Sequence, residues 1–283
     1  MEANSIQACS RNFIKGSCAN GHLLAKQIVC GKEYCPECGK ADSITHKRKV
    51  ARWWPKIFSF KTVGYLVVTC PAELREMFKD RELLSEWKKY GIRILKEAGY
   101  EAGMFRFHWF GDCENCNGQG CEICKFTGAG TIWKPHLNFI INSKYIEKSK
   151  FEEWTNFFKR KFQIFFESIC GTDLTDKMNV YYQYRKTKAE ICHTLKYVTR
   201  ATHRIYNKEI ANLLHGFRAS QTWGKFETCE VEQSEFNEVI QIEKGICPCC
   251  KTKITWQKDL IPRMPFMKIN RVDLGAGYFQ LTG

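Results

Sequence analysis

Hydrophobic and polar residues alternate or recur in a legible order from residue 63 to residue 202. Val63-Gly-Tyr-Leu-Val-Val-Thr69 is apolar and β-branched and predicts a strand. Glu73 to Ala98 then carries Leu74, Met77, Phe78, Leu84, Trp87, Ile94 and Leu95 at mostly helical spacing, stopped by Gly99. A break in that helix is expected near Asp80 or Gly91. Met104 to Phe110 and Thr131 to Ile141 read as two strands of a hairpin interrupted by a Cys- and Gly-rich loop. Phe151, Trp154, Phe157, Phe158, Phe162, Phe165, Phe166 and Ile169 return every three or four residues, which predicts a helix over Glu147 to Ile169 with an aromatic core stripe. Asn179 to Tyr184 is another strand and Lys188 to Thr202 another helix. The order β-α-β-β-α-β-α predicts the α+β class, a split β-α-β arrangement with an antiparallel sheet and helices against it.

The flanks follow other rules. Residues 1 to about 45 are Cys-rich and dotted with glycine, and a basic stretch, HKRKVARWW, reads as a linker to the first long strand. From Gly216 the pattern is mixed, with β-like runs at Val239 to Ile242 and Lys253 to Trp256. The division expected is an amino-terminal zinc module at 1–58, a central domain at 59–215 with a zinc knuckle inserted at 113–124, and a carboxyl-terminal extension at 216–283.

Composition narrows the function classes. The 283 residues include 44 Lys+Arg against 30 Asp+Glu, a formal charge of +14, which favours a polyanionic partner. A 44% share of hydrophobic residues fills a core and argues against disorder. The amino terminus, MEANSIQACSRNF, lacks the layout of a signal peptide, and no apolar run is long enough to span a bilayer. The expectation is a cytoplasmic protein with no membrane association. Sixteen cysteines, many in Cys-x-x-Cys pairs, suit zinc thiolates in a reducing compartment better than a disulfide scaffold.

Two knuckles, Cys113-x-x-Cys116 and Cys121-x-x-Cys124, lie four residues apart with two glycines between them. Four soft thiolates in so short a span close a tetrahedral zinc shell, and glycine permits the tight turns required. The spacing resembles half of the zinc centre of J-domain co-chaperones, although the His-Pro-Asp signature of that family is absent. At the amino terminus Cys18, Cys30, Cys35 and Cys38 are the favoured set, with Cys9 and His22 as substitutes. Cys247 and Cys250 form a third knuckle that Cys229 could assist, its fourth ligand left open. Full thiolate shells leave no position for substrate, so the zinc would be structural.

Strand alternation places His136 and Asn138 on one face of their strand, and His108 could approach His136 across the hairpin. On the last predicted helix Ile191, Leu195 and Val198 form an apolar stripe, with His193, Tyr197, Arg200 and Arg204 roughly opposite. A tyrosine held among cations suits attack on phosphate.

These segments together resemble the HUH endonuclease superfamily, more narrowly rolling-circle replication initiators and rolling-circle insertion-sequence transposases with amino-terminal zinc modules. The likeness covers about residues 18 to 225 and is carried by the Cys18 to Cys38 module, Thr69-Cys-Pro-Ala-Glu-Leu-Arg75, His108-Trp-Phe-Gly111, Pro135-His-Leu-Asn138 and the Tyr197 to Arg204 stretch. It implies a single-tyrosine DNA nickase and strand transferase, since Ala201 stands where two-tyrosine members have a second tyrosine, unless another such as Tyr206 assists. By that resemblance Tyr197 is the nucleophile that forms a 5′-phosphotyrosine link, and His136, Asn138 and His108 hold a catalytic Mg²⁺ or Mn²⁺. Asn138 replaces the second histidine of the motif with a neutral carbonyl oxygen, a weaker but usable ligand for such ions. Arg200, His203 and Arg204 would contact the DNA backbone.

The implied partners are single-stranded or hairpin DNA at a plasmid, viral or transposon origin or end, together with a host helicase and polymerase. No Gly-x-x-x-x-Gly-Lys loop is present to drive unwinding within the chain. The alternative is a non-catalytic, zinc-stabilised DNA- or RNA-binding protein.

Overall fold

The computed structural model of the protein describes residues 9–40, 42–124, 128–227 and 236–282. It divides into two units: Met1–Pro55 with Thr199–Arg204 and Cys229–Gly283, and Lys56–Val198 with Ile205–Thr228. Each unit is built on its own five-stranded antiparallel sheet. The fold is thus α+β, as the order of periodicities predicts.

The first unit contains a hairpin of β1 (Asn12–Cys18) and β2 (Leu23–Gln27), then helix α1 (Ile44–Phe58), which continues into the second unit. Its sheet is completed by the far end of the chain, in the order β8 (Ile254–Pro262), β1, β2, β10 (Tyr278–Leu281) and β9 (Arg271–Gly275). Residues 254–281 are therefore part of the amino-terminal fold and not a separate extension. On one face Phe13, Ala25 and Leu281 pack with Phe266 of a short helix, the Phe13 and Phe266 rings stacked at 3.7 Å.

Two local expectations are corrected in this unit. HKRKVARWW lies inside α1, which buries Val50, Ala51, Trp54 and Ile57 along one face. Basic residues interrupt that stripe, because Arg48 is itself buried and donates to the carbonyls of Ala276, Gln27 and Gly277. Val239 to Ile242 is helical, within Asn237–Glu243, because Val239, Ile240 and Ile242 are buried on a single short turn. Apolar runs this short do not distinguish strand from helix by period.

The second unit follows its predicted order: β3 (Val63–Thr69), α2 (Arg81–Glu97), β4 (Gly103–Asp112), β5 (Ala129–Asn142), α3 (Lys148–Cys170), β6 (Asn179–Arg185) and α4 (Lys188–Thr199). Asp80 breaks the first helical stretch by capping α2, its carboxylate accepting from the amides of Glu82 and Leu83 at 2.8 Å. Gly171, with φ of 65°, ends α3. The sheet order is β6-β3-β5-β4-β7, where β7 is Ser220–Trp223, so β5 is central.

One sheet face carries Leu66, Val68, Phe105, Phe107, Leu137 and Phe139, buried with Trp87 of α2 and Phe158, Phe162 and Phe166 of α3. The Trp87 ring lies 5.4 Å from Phe107 and 5.2 Å from Phe166. The other face carries Tyr65, His108, His136 and Asn138, and α4, whose Ile191, Leu195 and Val198 are buried, meets it where His108 bonds the Val198 carbonyl and the Tyr197 ring lies beside His108 and Tyr65. No helix among the described residues is long and apolar enough to cross a membrane.

Candidate functional site

Three groups of side chains among the described residues could hold a metal such as zinc: Cys9, Cys30, Cys35 and Cys38; Cys18, His22, Cys247 and Cys250; and Cys113, Cys116, Cys121 and Cys124. The ligand atoms of each set lie within 4.8 Å of one another. Sulfurs bound to one tetrahedral zinc at about 2.3 Å stand about 3.8 Å apart. The separations fit: 3.5 Å for Cys9 to Cys38, 3.7 Å for Cys30 to Cys38, 3.4 Å for Cys18 to Cys250, and 3.8 Å for Cys116 to Cys124. A disulfide would bring them to about 2.0 Å, and the described cysteines are free thiols.

Cys18 is displaced from its expected set. The seven residues of β1 rise about 3.3 Å each, so Cys9, in the turn before the strand, and Cys18, its last residue, are held well apart. Cys9 joins Cys30, Cys35 and Cys38 at the open end of the hairpin. At its turn, where the Gly21 amide donates to the Cys18 carbonyl, His22 presents Nδ1 at 3.4 Å from Cys18 Sγ. Cys247 and Cys250 arrive beside them, supplying a complete set without Cys229, which lies outside the described residues.

The inserted knuckle extends the β4–β5 pair. Asp112 is registered with Ala129, and the Cys113 amide donates to the Gly128 carbonyl at 3.0 Å. Gly118 and Gly120 take φ of 82° and 101°, the freedom that the glycines were expected to supply. Sulfurs accept backbone hydrogen bonds here: Gly120 to Cys116 and Cys121 to Cys124, each 3.1 Å. The backbone of Cys124 and the Asn115 amide hold the Cys121 thiol down at about 6, which favours the thiolate that zinc requires.

On the polar face of the second sheet His108 stands directly opposite His136, their ring centroids 5.1 Å apart. Tyr197, from α4, brings its ring to 5.8 Å from His108 and 6.1 Å from Tyr65. His108 is fully buried and donates from Nε2 to the Val198 carbonyl at 2.8 Å. His136 is half-buried and donates from Nδ1 to the Lys134 carbonyl at 3.0 Å. Asn138, fully buried, accepts from the Tyr65 hydroxyl at 2.7 Å and donates to the Arg106 carbonyl at 3.3 Å.

That donor set fits the three-residue Mg²⁺ or Mn²⁺ site expected from sequence only in part, because Asn138 commits Oδ1 to Tyr65 and Nδ2 to Arg106. His108 and His136 each donate from one ring nitrogen to a backbone carbonyl, which leaves the other nitrogen of each ring in its acceptor form. Among the described residues, the convergent groups of three or more His, Cys, Asp or Glu are the three cysteine clusters, so no carboxylate joins the histidine pair.

Arg200, His203 and Arg204 do not extend the helical face of Tyr197, because α4 ends at Thr199. The chain beyond it is grouped with the first unit, where His203 is buried and its ring lies 5.3 Å from Tyr34. The Glu33 carboxylate accepts the amides of Thr202 and His203 at 2.7 and 3.0 Å, which anchors this non-helical segment. Arg200 and Arg204 are half-buried, and Arg204 donates from Nε to the Ala201 carbonyl. Sequence reasoning missed Glu33 and Tyr65. A signal for Tyr65 was present, since strand alternation puts it on the face shared with His136 and Asn138.

No protein-family model, curated protein or solved structure matches this chain.

Proposed function

We propose that the chain is a single-strand DNA nickase and strand transferase of the HUH type, initiating rolling-circle replication or transposition, with Tyr197 as its nucleophile. The observation that carries this reading is the meeting of Tyr197 with the His108–His136 pair over the central strand of an antiparallel sheet. The Tyr197 hydroxyl would attack phosphorus in line, giving up its proton. A phosphotyrosyl bond forms as the bond from phosphorus to the 3′ oxygen breaks, and that oxygen leaves as a hydroxyl once protonated. The link preserves a phosphodiester-like bond for rejoining. The substrate would be single-stranded or hairpin DNA at an origin or element end, drawn by the +14 charge, with unwinding and extension left to a host helicase and polymerase.

The test is covalent capture. Zinc-loaded protein is incubated with labelled single-stranded oligonucleotides, with and without Mn²⁺ or Mg²⁺, and resolved under denaturing conditions. The expected result is a protein–DNA adduct in the parent and none in Tyr197→Phe. A Tyr197→Phe variant that forms as much adduct as the parent removes the nucleophile assignment.

The second reading, a non-catalytic zinc-stabilised DNA- or RNA-binding protein, is favoured by the engagement of Asn138 with Tyr65 and Arg106 in place of a metal. Retained DNA binding with no adduct at any metal concentration selects it.

A further inference from the structure

Asn138 occupies the position where the HUH resemblance expects a second imidazole. Its amide orientation is set by chemistry: a hydroxyl can donate only to Oδ1, and the Arg106 carbonyl can accept only from Nδ2. The two hydrogen bonds run across three adjacent strands, from Tyr65 on β3 through Asn138 on β5 to Arg106 on β4. Tyr65, 8% exposed, is held by this contact with its ring edge-on to Tyr197. His108 acts on the same helix from the next strand, its Nε2 donating to the carbonyl of Val198, the residue after Tyr197. Two of the three side chains expected to bind a metal thus converge on Tyr197, one through its ring neighbour Tyr65 and one through the backbone carbonyl of the next residue.

We infer that Asn138 is a positioning residue for Tyr197 and not a metal ligand, that Tyr65 transmits the Asn138 contact to the Tyr197 ring, and that His108 steadies the same helix through the Val198 carbonyl. Removing the Tyr65 hydroxyl breaks the hydrogen bond while leaving the ring, so Tyr65→Phe isolates the link with the least disturbance to packing. Removing Asn138 leaves the Tyr65 hydroxyl and the Arg106 carbonyl without this buried partner, a costlier change. The positioning role rests on the proposed nicking reaction; the ligand assignment does not.

The experiment has two arms on zinc-loaded full-length protein, with zinc content and thermal unfolding confirming that each variant is folded. In the first, Mn²⁺ binding to the protein alone is titrated by electron paramagnetic resonance. Asn138→Ala is expected to bind Mn²⁺ as the parent does, whether the parent binds strongly or not at all. A tenfold or greater loss of Mn²⁺ affinity in Asn138→Ala overturns the assignment.

In the second arm, adduct formation is measured against DNA concentration. Tyr65→Phe is expected to lower the maximal rate about tenfold, as the loss of one orienting hydrogen bond would, with half-saturating DNA unchanged. Tyr65→Phe combined with Asn138→Ala should be no slower than Asn138→Ala alone, because both changes break one link. His108→Gln, which keeps an N–H donor for the Val198 carbonyl, should be faster than His108→Ala. A parental maximal rate in Tyr65→Phe, or losses that multiply in the double variant, overturns the positioning role. A parent that forms no adduct overturns the nicking reading and this role together, while the Mn²⁺ arm still decides the ligand assignment.

Discussion

Cys18 Sγ lies 3.4 Å from Cys250 Sγ although 232 positions separate the two residues. Thr252 Oγ1 approaches the Cys250 sulfur at 3.1 Å, and His22 and Cys247 complete the set. A metal here would tie the turn of the β1–β2 hairpin to the start of the segment that supplies β8 and β10, joining by coordination what the sheet joins by hydrogen bonds.

Three zinc ions per chain are expected by atomic emission after purification without chelator. Cys18→Ser should lower the count to two and lower the midpoint of thermal unfolding, because ligand binding to the folded state contributes directly to its stability. A count that stays at three would mean that another side chain replaces Cys18.

Gly91 lies within α2, where an exposed Gly→Ala change would stabilise by roughly 0.5–1 kcal/mol. Here a Cβ would come 2.7 Å from the Phe139 ring, in the core between α2 and the sheet. Overpacking wins, and Gly91→Ala should lose about 1–3 kcal/mol in urea unfolding.

Asp80→Ala removes the acceptor for two helix N–H groups at the start of α2. A loss of about 1 kcal/mol is expected in the same measurement, and Asp80→Ser should recover most of it.

Burial pushes the Tyr182 hydroxyl up to about 12, against a stabilising hydrogen bond with Ser143 that draws it down. The unfolded chain releases this proton near pH 10 and the folded chain only near 12, so unfolding is favoured progressively across that interval. Stability against urea should be insensitive to this residue below pH 10 and fall between pH 10 and 12. Tyr182→Phe should show a shallower alkaline decline.

The periodicities of the second unit were legible because each of its elements spends one face in the core. Leu137, Phe139 and Ile141 alternate with His136, Asn138 and Ile140 on β5, and the aromatic stripe of α3 recurs every three or four residues. Helix α1 was obscured for the opposite reason. Arg48 and His46 are buried along it, and Arg48 satisfies its charge by donating to three carbonyls and lying 4.3 Å over the Tyr278 ring.

The sequence by itself determined the α+β order of the central unit, the closure of Cys113, Cys116, Cys121 and Cys124 into one cluster, and the shared face of His136 and Asn138. All of these are local: they depend on the period of a strand or helix, or on spacing within a dozen residues. Only the tertiary structure decided that Cys9, not Cys18, belongs with Cys30, Cys35 and Cys38. It alone also decided that Cys18 and His22 meet Cys247 and Cys250, and that Asn138 bonds to Tyr65. Those pairings depend on which strand ends are brought together across the sheet and on cross-strand neighbours. A pattern of residue types along one chain fixes the face on which a side chain emerges, but not the distant residue that it will meet.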